Sequence, residues 1–226
     1  MIGIFDSGVG GLCAYWQVRM MLPREDIIYL ADRKNAPYGT KTKDEILSFT
    51  KNNIKILKNM GAEAVLIACC SASSLYHLLD PEEREISTPI ISPAAALAAK
   101  GSGRIAVIAT QHTVRQGAFG DEIKAISDAT VTEMAEQRLV ALVESGNRDG
   151  RIDPICREYL WDMAERVRNT GADTLILGCT HFSHLEGEIA ALLPEFRIIS
   201  PARVGAIEMV KKIMPSRSEC GKVTYM

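Results

Sequence analysis

Cys69 and Cys179 occupy matching points of two stretches that copy one another. GAEAVLIACCSASSL runs from Gly61 to Leu75, and GADTLILGCTHFSHL from Gly171 to Leu185. Aligned without a gap, they share the Gly-Ala start, an acidic third residue, an apolar run, the Cys, the serines Ser73 and Ser183, and the final Leu. The apolar run reads as a buried parallel strand, and the preceding Gly as the end of a helix. Ligands of doubly wound sheets sit just beyond the carboxyl ends of strands. Two half-proteins that each place a thiol there can face one ligand from opposite sides. That geometry suits removing a proton from one face of a carbon and returning one to the other.

A buried cysteine is often only a small apolar filler, but a filler has no reason to recur at the same post-strand position. Helices starting at these points would favour thiolates and would receive a substrate carboxylate. Four further residues are placed to tune the thiols. Asp6 follows a first strand, Asp32 a second, Glu144 ends LVALVE, and His181 lies two residues past Cys179. Asp6 and His181 are the stronger pair, since both fall at strand ends on the expected ligand edge. Each also has a structural reading, as a cap, a loop residue or a solvated helix residue.

The elements that must position these groups alternate between strand and helix patterns, the mark of an α/β fold with parallel sheets. Strands are expected at Ile2–Phe5, Ile27–Leu30, Val65–Ala68 and Pro89–Ile91. A second series follows at Ile105–Ala109, Val131–Met134, Thr174–Gly178 and Ile198–Ile199. Helices are expected from Gly11 to about Met21, then at Lys43–Met60, Thr113–Ile126, Ile155–Asn169 and Pro201–Met214. The predicted architecture is two pseudo-symmetric α/β domains with mainly parallel sheets, 1–92 plus 203–226 and 93–202, with the active-site cleft between them.

Composition sets ordinary bounds. The chain has 226 residues and a net charge of −2, enough for a sizeable core and without the basic surplus of a nucleic-acid binder. No segment approaches the roughly 18 apolar residues of a membrane span, and MIGIFDSG lacks the pattern of a secretory leader. The six cysteines, Cys13, Cys69, Cys70, Cys156, Cys179 and Cys220, make no disulfide framework and fit a reducing cytosol.

The residues also resemble a family. Ile4-Phe5-Asp6-Ser7-Gly8-Val9-Gly10-Gly11-Leu12, Ala36-Pro37-Tyr38-Gly39-Thr40-Lys41, Ala68-Cys69 and Gly178-Cys179-Thr180-His181 are similar to the motifs of glutamate racemases, in the cofactor-independent aspartate/glutamate racemase superfamily. The runs Ile108–Thr113 and Leu142-Val143-Glu144 fit as well, so the resemblance covers nearly the whole chain. It implies that one cysteine thiolate removes the α-proton of glutamate while the other, as thiol, protonates the opposite face, with no cofactor and no metal. Carried over, the pair is Cys69 and Cys179, assisted by Asp6, His181 and Glu144. Asp32 matches another acidic position. Ser7, Pro37, Tyr38, Gly39, Cys70, Ser71, Thr113 and Thr180 match positions that line the site or hold substrate. The resemblance also implies a cytoplasmic homodimer making D-glutamate for peptidoglycan, with neither nucleic acid nor membrane as partner.

The chain departs from that pattern at several points. Cys70 and Ser71 stand where the family has Asn and Thr, and Ser92 and Ser200 where acidic residues are expected. Replacing an amide by a thiol removes a strong donor and acceptor, at an expected cost of roughly 1–3 kcal/mol if it held substrate. Most members continue past the strand near residues 221–226 into a further helix, whose absence would expose apolar surface or leave it to a subunit partner. A racemase of another amino acid such as aspartate, an amino-acid-binding paralogue, a zinc site, and a Cys–His hydrolase are the competing readings.

Overall fold

The computed structural model describes residues 1–213 and 221–226; Met214 and Cys220 lie outside the described residues. Two all-parallel sheets carry the fold. The first has the order β4-β3-β1-β2-β9, with β1 Ile2–Asp6, β2 Ile27–Ala31, β3 Ala64–Ile67, β4 Ser87–Pro89 and β9 Val223–Tyr225. The second has the order β6-β5-β7-β8, with β5 Arg104–Ala109, β6 Thr130–Ala135, β7 Thr174–Gly178 and β8 Arg197–Ile199. β1 and β5 are central in their sheets and read IGIFD and RIAVIA. A strand covered on both faces has no solvated side for polar residues, which is why these runs do not alternate.

The helices close the crossovers as the patterns require. α1 Leu12–Met21 follows the glycine turn. α2 Lys43–Asn59 starts with a capping box, in which Thr42 accepts the Glu45 N–H and the Glu45 carboxylate accepts the Thr42 N–H. It buries Ile46, Ile54 and Leu57, each worth about 1.5–3 kcal/mol when fully removed from water. After these come α3 Cys70–Ser73, α4 Pro81–Ile86, α5 Ile91–Ala99, α6 Gln111–Arg115, α7 Ala118–Lys124, α8 Gln137–Glu144, α9 Pro154–Arg168, α10 Glu186–Leu192 and α11 Pro201–Lys212. Among the described residues no helix is long and apolar enough to cross a membrane.

Two expected elements differ. The fourth strand lies at Ser87–Pro89 rather than Pro89–Ile91, because the Ser73 hydroxyl accepts the N–H groups of both Ile90 and Ile91 (2.9 and 3.2 Å) and draws that backbone off the ladder. The helix expected over Thr113–Ile126 is two helices, α6 and α7. Gly117 breaks them at φ +59, a left-handed conformation that favours glycine. Thr110 caps α6 by accepting the Thr113 N–H, so that helix begins two residues earlier than expected.

The halves pack directly on each other. One apolar cluster contains Ile4 and Leu66 from the first sheet, Val107 and Ile176 from the second, and Ala202 and Ala206 of α11.

Candidate active site

β3 and β7 each deliver a cysteine to the same edge. Cys69 follows β3 after one residue and caps α3, while Cys179 follows β7 directly and caps a 3-10 turn at Thr180–Leu185. Both are buried, each 5% exposed. β1 supplies Asp6 to the gap between them. Its carboxylate accepts the Gly8 N–H at 2.8 Å and the Thr180 hydroxyl at 3.1 Å, the latter from the other half. The Cys69 thiol lies 3.8 Å from the Ser7 Oγ. Cys179 Sγ lies 3.7 Å from His181 Nδ1, and His181 Nε2 lies 2.6 Å from the Glu144 carboxylate at the end of α8.

The glycine turn brings the halves this close. A Cβ on Gly10 would sit 2.6 Å from Thr180 Oγ1 and 2.7 Å from the His181 backbone nitrogen. One on Gly11 would sit 2.5 Å from the Asp6 Cβ. Val9 is held from the second half at both ends of its peptide unit. Its N–H reaches Glu144, and its carbonyl accepts from His184 Nε2 at 3.1 Å. On the far side a chain of hydroxyls crosses between the halves: Ser71 to Thr110 at 3.1 Å, then Thr110 to Thr113 at 3.0 Å. The Tyr38–Thr40 turn packs there too, since a Cβ on Gly39 would meet the Thr110 Cβ at 2.7 Å.

The electrostatics at Cys69 and at His181 run in opposite senses. Burial, then the nearby charge of Asp6, pushes the Cys69 thiol up to about 12, against the opposing Ala72 N–H. The expectation that helix starts would favour a thiolate therefore fails at Cys69. α3 is only four residues long and offers little dipole against the desolvation of a buried charge. His181 behaves oppositely. Burial alone would lower it, but its hydrogen bonds to Cys179 and Glu144, with the charges of Cys179 and Asp6, raise it to about 10. Glu144 is held below the usual carboxylate range by that same His181 bond, against a burial penalty, with further help from the Val9 N–H and Arg33.

This ion pair makes a pH prediction. The histidine value rises from about 6.5 unfolded to about 10 folded, through its bonds to Cys179 and then Glu144, so its share of the stabilisation is fully present below about pH 6.5, down to the acid range in which Glu144 itself takes up a proton. It declines across the interval and is gone as pH rises through about 10. Glu144→Gln should be less stable than the parent at pH 6, and the gap should close towards pH 10. Thermal melts across that range give the answer; a gap that stays constant or widens would rule the pairing out.

The other expected residues fall in distinct places. Ser7 and Pro37, with Gly8, Glu144 and His181, line a cavity of about 520 Å³ beside the thiols. Cys70 is buried, and its thiol takes the Thr180 N–H. Asp32 is gripped by Asn35 at 2.9 Å, by the Tyr38 hydroxyl and by Asn53 of α2, so it anchors the Tyr38–Thr40 turn. Thr110, Gln137 and His184 were not singled out from sequence. Thr110 carries the same post-strand signal as the cysteines, directly after β5; the other two carry none. Among the described residues, no group of three or more His, Cys, Asp or Glu is arranged to hold a metal ion.

Comparison with known proteins gives a consistent outcome. Residues 17–209 match the family described as Asp/Glu/Hydantoin racemase. The glutamate racemase of Desulforudis audaxviator is 38% identical over 221 residues, covering 93% of this chain and 80% of its own. That of Persephonella marina is 37% identical, covering 93% and 82%. Among solved structures, the glutamate racemase isoform RacE1 of Bacillus anthracis superposes with a TM-score of 0.88 at 28% identity, covering 100% of this chain and 87% of that one. The Francisella tularensis glutamate racemase in complex with D-glutamate gives 0.89 at 26% identity, covering 99% and 86%.

Proposed function

The chain belongs to the Asp/Glu/Hydantoin racemase family, among its glutamate racemases, and we propose that it interconverts L- and D-glutamate with Cys69 and Cys179 as the two acid–base groups. The observation that carries this reading is the pair of thiols themselves. They are delivered by equivalent strands of two sheets, and the Asp6–Thr180 hydrogen bond ties the two strand ends together beside them.

The resting site is asymmetric. His181 lies 3.7 Å from Cys179 and offers that sulfur a hydrogen bond, while burial, and then Asp6, keep Cys69 protonated. Cys179 is then the base for the enantiomer whose α-hydrogen faces it. The thiolate takes the α-proton, and the C–H electron pair passes into the α-carboxylate as an enediolate. The Cys69 S–H proton then adds to the opposite face, leaving Cys69 as thiolate and Cys179 as thiol. The reverse reaction exchanges the roles. Glu144 holds His181 in its charged form, and Asp6 orients Thr180. The hydroxyls of Ser7, Ser71 and Thr113 are the donors assigned to the developing enediolate, a charge best met by dipoles already in place, while Thr180 gives its hydroxyl proton to Asp6. No step of this scheme calls for a cofactor. Pro37, Tyr38 and Gly39 shape the wall, Cys70 backs the first thiol, and Asp32 acts through Tyr38. The same reading expects a cytoplasmic homodimer supplying D-glutamate to peptidoglycan, with its oligomeric state open to sedimentation analysis.

The direct test is α-proton exchange in D₂O with the reduced protein and L-glutamate, D-glutamate or L-aspartate, followed by NMR beside circular dichroism. Loss of the glutamate α-proton signal with decay of optical activity supports the reading. Exchange with aspartate alone would transfer the mechanism to another substrate, and exchange with none would refute it.

A further inference from the structure

His184 makes contacts that the chemistry above does not use. It lies three residues after His181 on the Thr180–Leu185 turn. A 3-10 turn has three residues in each revolution, so side chains three apart project from the same face. Both rings therefore reach towards the glycine turn of the first half. His181 meets Glu144 there, and His184 Nε2 meets the Val9 carbonyl at 3.1 Å. A carbonyl only accepts, so the ring donates this bond. The His184 side chain is 8% exposed.

The ring is held on its other side as well. Nδ1 faces the Asp149 carboxylate at 3.4 Å, and the His184 carbonyl accepts the Asp149 N–H at 3.1 Å. Asp149 sits at φ +52, a left-handed conformation that is uncommon outside glycine and needs fixed surroundings. The loop around it is pinned by the Gly150 N–H to Glu188 at 3.0 Å, and by Asn147, which donates to the Leu142 carbonyl at 3.1 Å and to Asp153 at 2.8 Å. This loop follows directly on Glu144, the last residue of α8. His184 thus bridges the chain behind Glu144 and the Val9 backbone in front of it.

The Val9 N–H is one of the groups that hold the Glu144 carboxylate, and Glu144 in turn lies 2.6 Å from His181. Val9 belongs to the first half and Glu144 to the second, so their bond depends on the spacing of the halves at this point. We propose that His184 is a positioning residue for the acid–base machinery: by gripping the Val9 carbonyl it fixes the N–H that faces Glu144, and through Glu144 it keeps His181 aligned on the Cys179 sulfur. This rests on the racemase reading and deepens it. The Val9 carbonyl also accepts the Leu12 N–H at 3.1 Å, so loss of the imidazole leaves it a partner, and the fold should tolerate the change.

The test compares H184L, H184N and H184Q with the parent. Glutamine carries an amide N–H close to the place of Nε2, whereas leucine has no donor and asparagine is too short to reach Val9. H184L and H184N should each lower kcat for glutamate about tenfold, short of the roughly 10²-fold that a displacement of about 1 Å costs. KM should stay within about twofold, since the ring points to Val9 and Asp149 rather than to the thiols. H184Q should recover most of kcat. NMR titration of the His181 ring, which Cys179, Glu144 and Asp6 face, reads the same brace without turnover. Its midpoint should fall in H184L and H184N, where Glu144 is held less well, and return in H184Q. A merely structural lesion would lower the melting temperature and leave that midpoint in place. An unmoved midpoint, a parental kcat in H184L and H184N, or no recovery in H184Q would overturn the proposal. A midpoint that moves and returns, with a parent that never exchanges the glutamate α-proton, would leave the brace standing and sink the racemase reading.

Discussion

Cys69→Ala and Cys179→Ala are each expected to lower glutamate inversion by about 10²- to 10⁴-fold, the range for removing a positioned acid–base group. Neither change should unfold the protein, since each removes one sulfur from a site already bounded by polar groups. The informative part is what survives. With one thiol left, a proton can still leave and return on one face only. Residual deuterium incorporation should therefore be confined to one enantiomer, and the favoured enantiomer should be opposite in the two variants. NMR of L- and D-glutamate incubated separately in D₂O would show this. Equal residual exchange of both enantiomers in both variants would contradict opposed thiols. The Cys179 variant should also lose the partner that helps keep His181 protonated, since the Cys179 hydrogen bond is the largest of the effects that raise it.

The second large effect is expected at Gly10, which has no chemistry of its own. Its missing Cβ is what lets the glycine turn lie against Thr180 and His181. In Gly10→Ala the new methyl would collide with the His181 backbone nitrogen at 2.7 Å. A flexible side-chain tip could swing aside, but this backbone belongs to the turn that carries the second thiol's partners. Relief has to come from separating the halves, which stretches the Asp6–Thr180 bond and the Glu144 contact to Val9. Overpacking of this kind costs about 1–3 kcal/mol, and displacement by about 1 Å at a reacting centre costs about 10²-fold in rate. Steady-state kinetics beside a thermal melt would separate the two. A variant that keeps full kcat/KM would show that the close approach is dispensable.

Much of this site was legible in the sequence because strand ends are legible. Cys69, Cys179 and Asp6 each end an apolar run, and the repeat makes the two cysteines recognisable as equivalents. The alternation of patterns likewise gave the parallel sheets. What sequence could not supply was the outcome of competing interactions. Helix starts after both cysteines pointed to thiolates, yet the first helix is one turn long and burial prevails at Cys69. His181 looked like a simple helper; its charge state depends on Glu144, which arrives from a helix 37 positions away in sequence. Asp32 follows a strand as Asp6 does, and ranks below it by sequence. Asn53, from the middle of α2, and Asn35 turn it into an anchor, and no spacing rule connects those positions.

β9 pairs with β2 in register Ile27 with Val223, and this bears on how the chain acquires its fold. The second sheet is assembled entirely from residues 104–199, so its contacts close over short distances along the chain. The first sheet has four strands available early but must wait for residues 223–225 before its β2 edge is covered. Loop closure over that distance is slow relative to local pairing. On the ribosome the half that is made first is thus completed last, and its β2 edge stays open to pairing with other chains in the interval. Slow steps in refolding should accordingly track the docking of β9, rather than formation of the sheet that carries Cys179.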